Sequence, residues 1–184
     1  MWEYINLIDI SILRFIREYF SSPLMDSIMI FVTKLGDRGF IWIVIGVILL
    51  ISKKYRKIGF TMLIALAVTS IIGEGIIKNI IQRPRAFTTF PDIEIIIKAP
   101  LSYSFPSGHT ASSLAAAVVL GHYIKDWKYL FYFFAALVAL SRLYLFVHYP
   151  SDIIGGIALG VVCSLVTIKT IENNKCKKLS YSKK

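Results

Sequence analysis

Long apolar stretches dominate the chain and are separated by short polar segments. Residues 41–51, 58–72 and 130–140 contain no charged side chain. A helix needs about 20 apolar residues to cross the hydrocarbon core of a bilayer, and fewer where neighbouring helices shield it. The pattern therefore predicts six membrane-spanning helices, at residues 23–35, 40–52, 58–80, 107–124, 129–147 and 152–170.

A different pattern precedes the first predicted span. Between residues 3 and 20, six apolar side chains fall on one helical stripe: Ile5, Ile8, Ile12, Phe15, Ile16 and Tyr19. The charged side chains fall elsewhere on the helix: Glu3, Asp9, Arg14, Arg17 and Glu18. This arrangement is typical of an amphipathic helix that lies in the membrane interface. We therefore expect an all-α integral membrane protein with three regions: an amphipathic helix at 1–20, a six-helix transmembrane domain at 21–172 and a basic cytoplasmic tail at 173–184.

The composition supports a membrane protein and the charge predicts its orientation. Of the 184 residues, 56% are hydrophobic and 17% are charged, whereas about a quarter are charged in soluble domains. The net charge of +10 is concentrated in the segments 53–57 and 125–128 and in the tail. Such clusters mark cytoplasmic segments rather than a nucleic-acid surface. Both termini are therefore predicted in the cytoplasm, and the segments 36–39, 82–106 and 148–151 on the outer side.

Several polar residues occur where a membrane protein should not carry them. Charged groups in a membrane span are costly and mark function by default. Six such residues fall at or near the outer ends of spans three to six: Lys78, Arg85, His109, Arg142, His148 and Asp152. The predicted topology thus brings three cations, two imidazoles and one carboxylate to one level of the membrane.

This set of side chains suits phosphate chemistry. Lysine and arginine hydrogen-bond phosphate oxygens, and a helix that begins at Ser107 and Gly108 offers backbone amides to an anion. His148 and Asp152 are four residues apart, so the carboxylate can orient the imidazole as in hydrolase triads. The remaining Asp, Glu, His and Cys residues form no ligand cluster, and we expect phosphoryl transfer without a metal or cofactor.

Three ordered motifs carry a resemblance to a known family. They are Lys78-x6-Arg85, Pro106-Ser107-Gly108-His109 and Ser141-Arg142-x5-His148-x3-Asp152. They resemble K-x6-R-P, P-S-G-H and S-R-x5-H-x3-D of the type 2 phosphatidic acid phosphatase superfamily. The last two match in full, whereas Ala86 stands where the family has the proline of the first. Because Arg83-Pro84 precede this position, Arg83 stays open as the motif arginine or as a second phosphate contact.

The resemblance implies a role for each matched residue. His148 is expected to attack phosphorus and form a phosphohistidine, with Asp152 orienting it. His109 is expected to protonate the leaving oxygen. The phosphate oxygens are expected to contact Lys78, Arg85, Ser107, the backbone amide of Gly108, and Arg142.

The resemblance also implies the substrate class and the location. Membrane lipids surround the predicted spans and the site lies at headgroup depth, so we expect a lipid phosphate as substrate. The small chain resembles compact bacterial members, which favours the bacterial plasma membrane and ranks undecaprenyl diphosphate first. Phosphatidylglycerol phosphate, phosphatidic acid and lipid A phosphate are the alternatives within the class. A non-enzymatic lipid-binding or transport protein is the alternative outside it, and the oligomeric state stays open.

Two further spacings have structural interpretations. Glu74 lies four residues before Lys78, which permits an ion pair on a helix. Gly156 and Gly160 are also four residues apart, which permits close helix packing within the bundle or between two chains. We expect a structural role for Glu74, with support of the site residues from behind as the alternative, and helix packing inside the chain for the two glycines.

Overall fold

The structure, a computed structural model, describes residues 2–90 and 95–181. In this part of the chain all regular secondary structure is helical, as the sequence predicts. The α-helices are α1 (Trp2–Phe20), α2 (Pro23–Gly36), α3 (Phe40–Ile51), α4 (Arg56–Ser70), α5 (Lys78–Ile81), α6 (Ala86–Thr89), α7 (Gly108–Tyr123), α8 (Lys128–Tyr144) and α9 (Pro150–Tyr181). Short 3₁₀ turns occupy Asp37–Gly39 and Lys125–Trp127, and a π-helical turn at Ile71–Ile77 joins α4 to α5.

Each of the six predicted spans coincides with a helix. The third corresponds to α4, the π-helical turn and α5 in succession, and the others to α2, α3, α7, α8 and α9. Two segments, Arg56–Thr89 and Pro150–Asn174, are long and apolar enough to cross a membrane by length and composition. The six-span arrangement stays a prediction. Helix α9 also continues to Tyr181 and so runs through most of the predicted tail, whose residues 182–184 lie outside the described residues.

Helix α7 lies at the centre of the bundle and packs against α4, α8 and α9. Its small side chains Ala111, Ala115 and Ala116 are buried and let the neighbouring backbones approach closely. A Cβ atom on Gly160 would lie 2.4 Å from the carbonyl oxygen of Ala111, and one on Gly156 would lie 2.7 Å from that of Ser107. Both glycines therefore serve helix packing inside the chain, as expected.

Helix α1 has a buried face that the sequence pattern does not reveal. The predicted apolar stripe is largely exposed, with Ile8 at 65% and Phe15 at 54% of their full accessibility. A second face, with Asp9, Ile10 and Leu13, is buried where the helix packs against α8 and α9. Asp9 falls off the apolar stripe in the sequence, yet it is buried, because this carboxylate contacts Arg83 inside the protein.

Replacing Gly160 by alanine should destabilise the bundle. The added methyl group would meet the backbone of α7, and overpacking of this kind costs about 1–3 kcal/mol. We expect a lower midpoint of thermal unfolding in detergent for Gly160→Ala. Gly75→Ala is the matched control, because no heavy atom lies within 4 Å of a Cβ at that position and alanine favours a helix. Equal midpoints for the two variants would contradict the assigned packing.

Candidate active site

Helix ends from four parts of the bundle surround one cavity of about 1150 Å³. Six residues predicted from the sequence line it: Lys78, Arg85, Gly108, His109, Arg142 and His148. Asp152 lies behind His148, at the start of α9. Ser107 and Arg83 are buried and are not among the lining residues.

The cavity has two chemically different parts. One part carries the imidazoles of His109 and His148 and the motif cations Lys78, Arg85 and Arg142, and Lys34 and Lys98 also line the cavity. Apolar side chains of α3, α4 and α9 form another part of the wall, namely Ile43, Leu63, Leu66 and Leu159. A molecule with an anionic head and an apolar tail matches both parts.

Asp152 is held at the start of α9 by four hydrogen-bonding groups. Pro150 occupies the first helical position, which suits its fixed backbone angle. The carboxylate reaches back to the backbone N–H of Tyr149, with 2.9 Å between Oδ2 and N, as a capping-box residue does. Oδ2 also accepts the Ser104 hydroxyl at 2.5 Å and lies 3.4 Å from Nδ1 of His148. Oδ1 accepts Nη1 of Arg83 at 2.6 Å.

The contacts of His148 define its tautomer. Nη1 of Arg85 lies 3.2 Å from Nε2 of His148. Because a guanidinium only donates hydrogen bonds, Nε2 is the acceptor and Nδ1 carries the proton toward Asp152. Burial lowers the pKa of His148 well below its usual value, and the carboxylate of Asp152 only partly opposes this effect. The ring is therefore neutral at neutral pH, with a lone pair on Nε2 at the cavity.

Arg85 is fixed in place by backbone oxygens. Its Nε donates to the carbonyl of Ser102 at 2.7 Å, and its Nη1 donates to the carbonyl of Val147 at 2.7 Å. Its Nη2 contacts the Ser102 hydroxyl at 3.1 Å. The side chain thus connects the 95–107 segment to the end of α8 beside His148. The adjacent Ala86 opens α6 as its first helical residue, a position that suits the family proline.

The other two cations approach the cavity from different helices. Nζ of Lys78 is buried and donates to the Glu74 carboxylate at 2.8 Å and to the Ser102 hydroxyl at 3.2 Å. Nη1 of Arg142 donates to the hydroxyl of Thr33 in α2. Nε of Arg142 is buried and has no hydrogen-bond partner among the described residues. An anion in the cavity would supply one.

The Pro106-Ser107-Gly108-His109 motif begins α7. The Ser107 hydroxyl caps this helix, because it accepts the backbone N–H of Thr110 at 3.4 Å and the Thr110 hydroxyl at 3.0 Å. Gly108 exposes the helix start to the cavity. Nε2 of His109 lies 2.9 Å from Oδ1 of Asp37, in the turn between α2 and α3. The hydrogen bond with His109 is the main reason why the pKa of Asp37 lies below its usual value.

Arg83 faces carboxylates rather than the cavity. Its Nη1 binds Asp152 at 2.6 Å, its Nη2 binds Asp9 at 2.8 Å, and its guanidinium lies 4.0 Å from the ring centroid of Tyr149. A phosphate contact by Arg83 was one of the sequence-based alternatives. The geometry does not favour it, because Arg85 lines the cavity whereas these carboxylates hold Arg83 behind the predicted nucleophile.

Sequence reasoning missed four residues that complete the site. Ser102 contacts both Lys78 and Arg85, Ser104 contacts Asp152, and Asp37 and Asp9 pair with His109 and Arg83. One signal was available for Asp37, which lies in the 36–39 segment predicted on the same side as the site. The two serines stand in a long connection without a repeating pattern, and Asp9 resembles an ordinary polar-face residue.

The comparisons with known proteins agree with this geometry. The family model of the PAP2 superfamily matches residues 54–176. An undecaprenyl-diphosphatase from Sulfolobus acidocaldarius is 32% identical over 156 residues, which cover 84% of this chain and 75% of that protein. The chain therefore belongs to the PAP2 superfamily, and the enzyme class expected from the sequence, a phosphatase, is confirmed.

Solved structures show the same fold. LpxE from Aquifex aeolicus superposes with a TM-score of 0.78 at 26% identity, over 88% of this chain and 95% of that one. A transmembrane phosphatidylglycerolphosphate phosphatase from Bacillus subtilis superposes with a TM-score of 0.74 at 25% identity, over 92% of this chain and 87% of that one. The chain is thus similar over most of its length to LpxE and to a transmembrane phosphatase.

Replacing Asp9 by asparagine should destabilise the protein, although Asp9 does not line the cavity. The change removes one carboxylate from the buried guanidinium of Arg83, and leaving a buried polar group poorly paired costs about 1–3 kcal/mol. We expect a lower midpoint of thermal unfolding in detergent. Glu18→Gln removes an exposed carboxylate from the same helix and should leave the midpoint unchanged. A midpoint for Asp9→Asn equal to that of the parent protein would refute the structural role of this pair.

Proposed function

We propose that this chain hydrolyses a lipid phosphate or diphosphate through a phosphohistidine, without a metal or cofactor. The observation that carries the proposal is a cavity at which His148 and the motif cations Lys78, Arg85 and Arg142 meet apolar side chains. The cationic end suits a phosphate, and the apolar wall suits a lipid tail between helices. A lipid-binding or transport protein would need the cavity but not the oriented imidazole.

The proposed reaction begins at His148. Its Nε2 attacks phosphorus, while Nδ1 keeps its proton facing Asp152. Nη1 of Arg85 exchanges its contact with Nε2 for one with a phosphate oxygen while the backbone oxygens keep the guanidinium in place, and Lys78, Arg142 and the start of α7 complete the anion site. Fixed positive groups of this kind stabilise the charge of the transferred phosphoryl group and supply most of the catalysis.

His109 completes the proposed reaction on the opposite side of the phosphoryl group. The imidazole protonates the leaving oxygen and then accepts a proton from the water that hydrolyses the phosphohistidine. Asp37 holds the imidazole through Nε2. Inorganic phosphate is released, and His148 regains its lone pair.

Undecaprenyl diphosphate ranks first among the proposed substrates. The similar protein from Sulfolobus acidocaldarius is named an undecaprenyl-diphosphatase and is matched over most of both chains. Phosphatidylglycerol phosphate is the second candidate, because the similar Bacillus subtilis structure is a phosphatidylglycerolphosphate phosphatase. The cavity residues serve either headgroup in the same way, since only the terminal phosphate must reach His148.

The predicted spans and the basic segments give the proposed orientation of the protein in the membrane. Six spans at 23–35, 40–52, 58–80, 107–124, 129–147 and 152–170 form the domain at 21–172, with α1 in the interface and a basic tail from 173. The basic segments 53–57 and 125–128 occupy the helix ends opposite those that carry Lys78, His109 and Arg142. The positive-inside rule then puts both termini in the cytoplasm and the cavity at the outer face of the plasma membrane.

Phosphate release in excess chelator tests the enzymatic proposal. The detergent-purified protein should release phosphate from at least one of undecaprenyl diphosphate, phosphatidylglycerol phosphate and phosphatidic acid. His148→Ala should lower this rate by roughly 10³-fold or more, because the covalent route is lost. His122→Ala is the matched control and should keep the parent rate, since His122 contacts Glu172 at the other end of the bundle. Folded protein without any release, or full activity in His148→Ala, would overturn the proposal.

The Asp37–His109 pair makes a second prediction about the leaving group. General acid catalysis contributes about 10²–10⁴-fold when the leaving oxygen is a poor one. Asp37→Asn should therefore slow hydrolysis of a lipid alkyl phosphate while leaving that of p-nitrophenyl phosphate nearly unchanged. Because the pKa of Asp37 in the folded protein is lowered, its carboxylate is ionised and available to His109 at neutral pH. This contribution disappears as the pH falls through that pKa, so the hydrolysis rates of the parent protein and of Asp37→Asn should become equal in acid.

Asp126→Asn is the matched control for this experiment. Asp126 is an exposed aspartate in the turn before α8, at the opposite helix ends. The Asp126→Asn variant should hydrolyse both substrates at the parent rate and show the parent pH profile. An equal decrease in the hydrolysis rates of both substrates in Asp37→Asn would contradict a role of Asp37 in protonation of the leaving group.

A further inference from the structure

A carboxylate occupies the predicted phosphate site. Glu74 lines the cavity and its two oxygens lie 2.8 and 2.9 Å from Nζ of Lys78. Lys78 is one of the three cations that the proposed reaction assigns to the phosphate. The ion pair expected from the i,i+4 spacing is thus present, and it lies inside the site rather than on an outer helix face.

The same carboxylate lies against the start of α7. A Cβ atom on Gly108 would lie 2.2 Å from Oε1 of Glu74, so the carboxylate fits there because residue 108 is glycine. The first backbone amides of a helix attract anions. Glu74 therefore lies against both Lys78 and the start of α7, the two groups that are proposed to bind phosphate.

The other two carboxylates near the site have different partners. Asp152 binds Arg83 and Ser104 and faces the far side of the His148 ring, and Asp37 pairs with His109. Among the described residues, neither lies within ion-pair distance of Lys78, Arg85 or Arg142. Glu74 is thus the carboxylate positioned to compete with a phosphate for one of these cations.

Glu74 also has room to leave. Its side chain is 44% exposed, whereas that of Lys78 is 5% exposed. It stands in the π-helical turn, where the backbone N–H of Lys78 bonds to the carbonyl oxygen of Gly73. Single π-helical turns of this kind occur often at functional sites. A rotation about the side-chain bonds of Glu74 would expose Nζ of Lys78 without moving the helix.

We propose that Glu74 is an internal competitor for the phosphate site, a role that rests on the function proposed above. Its carboxylate neutralises Lys78 and covers the start of α7. An incoming phosphate displaces it, and its return assists the departure of inorganic phosphate after hydrolysis. Glu74 thereby weakens the binding of phosphate and of the lipid headgroup, which is the opposite of a residue that merely holds Lys78 in position.

Binding of inorganic phosphate distinguishes these two roles. Calorimetric titration of the detergent-purified full chain with orthophosphate gives a Kd that does not depend on turnover. Glu74→Gln and Glu74→Ala should each bind orthophosphate about tenfold more tightly, the scale of one charge contact at a partly solvated site. Inhibition of phosphate release by orthovanadate should strengthen in parallel.

Glu172→Gln is the matched control for the loss of one carboxylate. Glu172 lies 3.6 Å from Lys57 and 3.2 Å from His122, at the opposite end of the bundle, and its removal should leave the Kd unchanged. Weaker or unchanged binding in either Glu74 variant would overturn the competitor role and leave Glu74 as a positioning residue for Lys78. Absence of turnover in the parent protein would instead overturn the proposed function, while the titration still reports on Glu74.

Discussion

The carboxylate of Asp152 is the group on which the arrangement of the site depends. It accepts hydrogen bonds from the backbone of Tyr149, from Ser104 and from Arg83, and it faces Nδ1 of His148. A buried carboxylate is stable only with such partners. Through them one charge connects the start of α9 to the 95–107 segment and, by way of Arg83 and Asp9, to α1. The orientation of the predicted nucleophile is therefore a property of the whole bundle.

Close helix packing brings these groups to one place. Glycines in α9 let its backbone approach that of α7, and the backbone N–H of Ser107 binds the carbonyl oxygen of Asp152 at 3.1 Å. The two motif-bearing helix starts are thereby fixed to each other. Around them Lys78, Arg85 and Arg142 line one cavity, and their mutual repulsion is costly without an anion. Glu74 relieves part of that repulsion through Lys78, and a phosphate would relieve more of it.

The π-helical turn and the long connection act together in this arrangement. The turn brings Glu74 and Lys78 into the cavity, while the connection supplies Ser102 and Ser104 beneath the motif side chains. In both segments a polar side chain contacts a long cationic one: Glu74 contacts Lys78, and Ser102 contacts Lys78 and Arg85. The site is consequently preorganised by neutral hydroxyl and carbonyl oxygens, which leave the positive charge of Arg85 available to a substrate.

The sequence by itself determined the helical class, the starts of the six predicted helices to within two residues and six of the cavity residues, because apolar periodicity and motif spacing are local properties of the chain. It placed Lys78, His109 and Arg142 at one level because alternating helices bring alternate ends together. Only the tertiary structure decided that Arg83 faces Asp9 and Asp152, that Asp37 reaches His109, and that Glu74 lies against Gly108. These contacts join residues up to 74 positions apart, and one sequence carries no local signal for such pairs. Burial decides them, since a charge removed from water must find its partner wherever the fold supplies one.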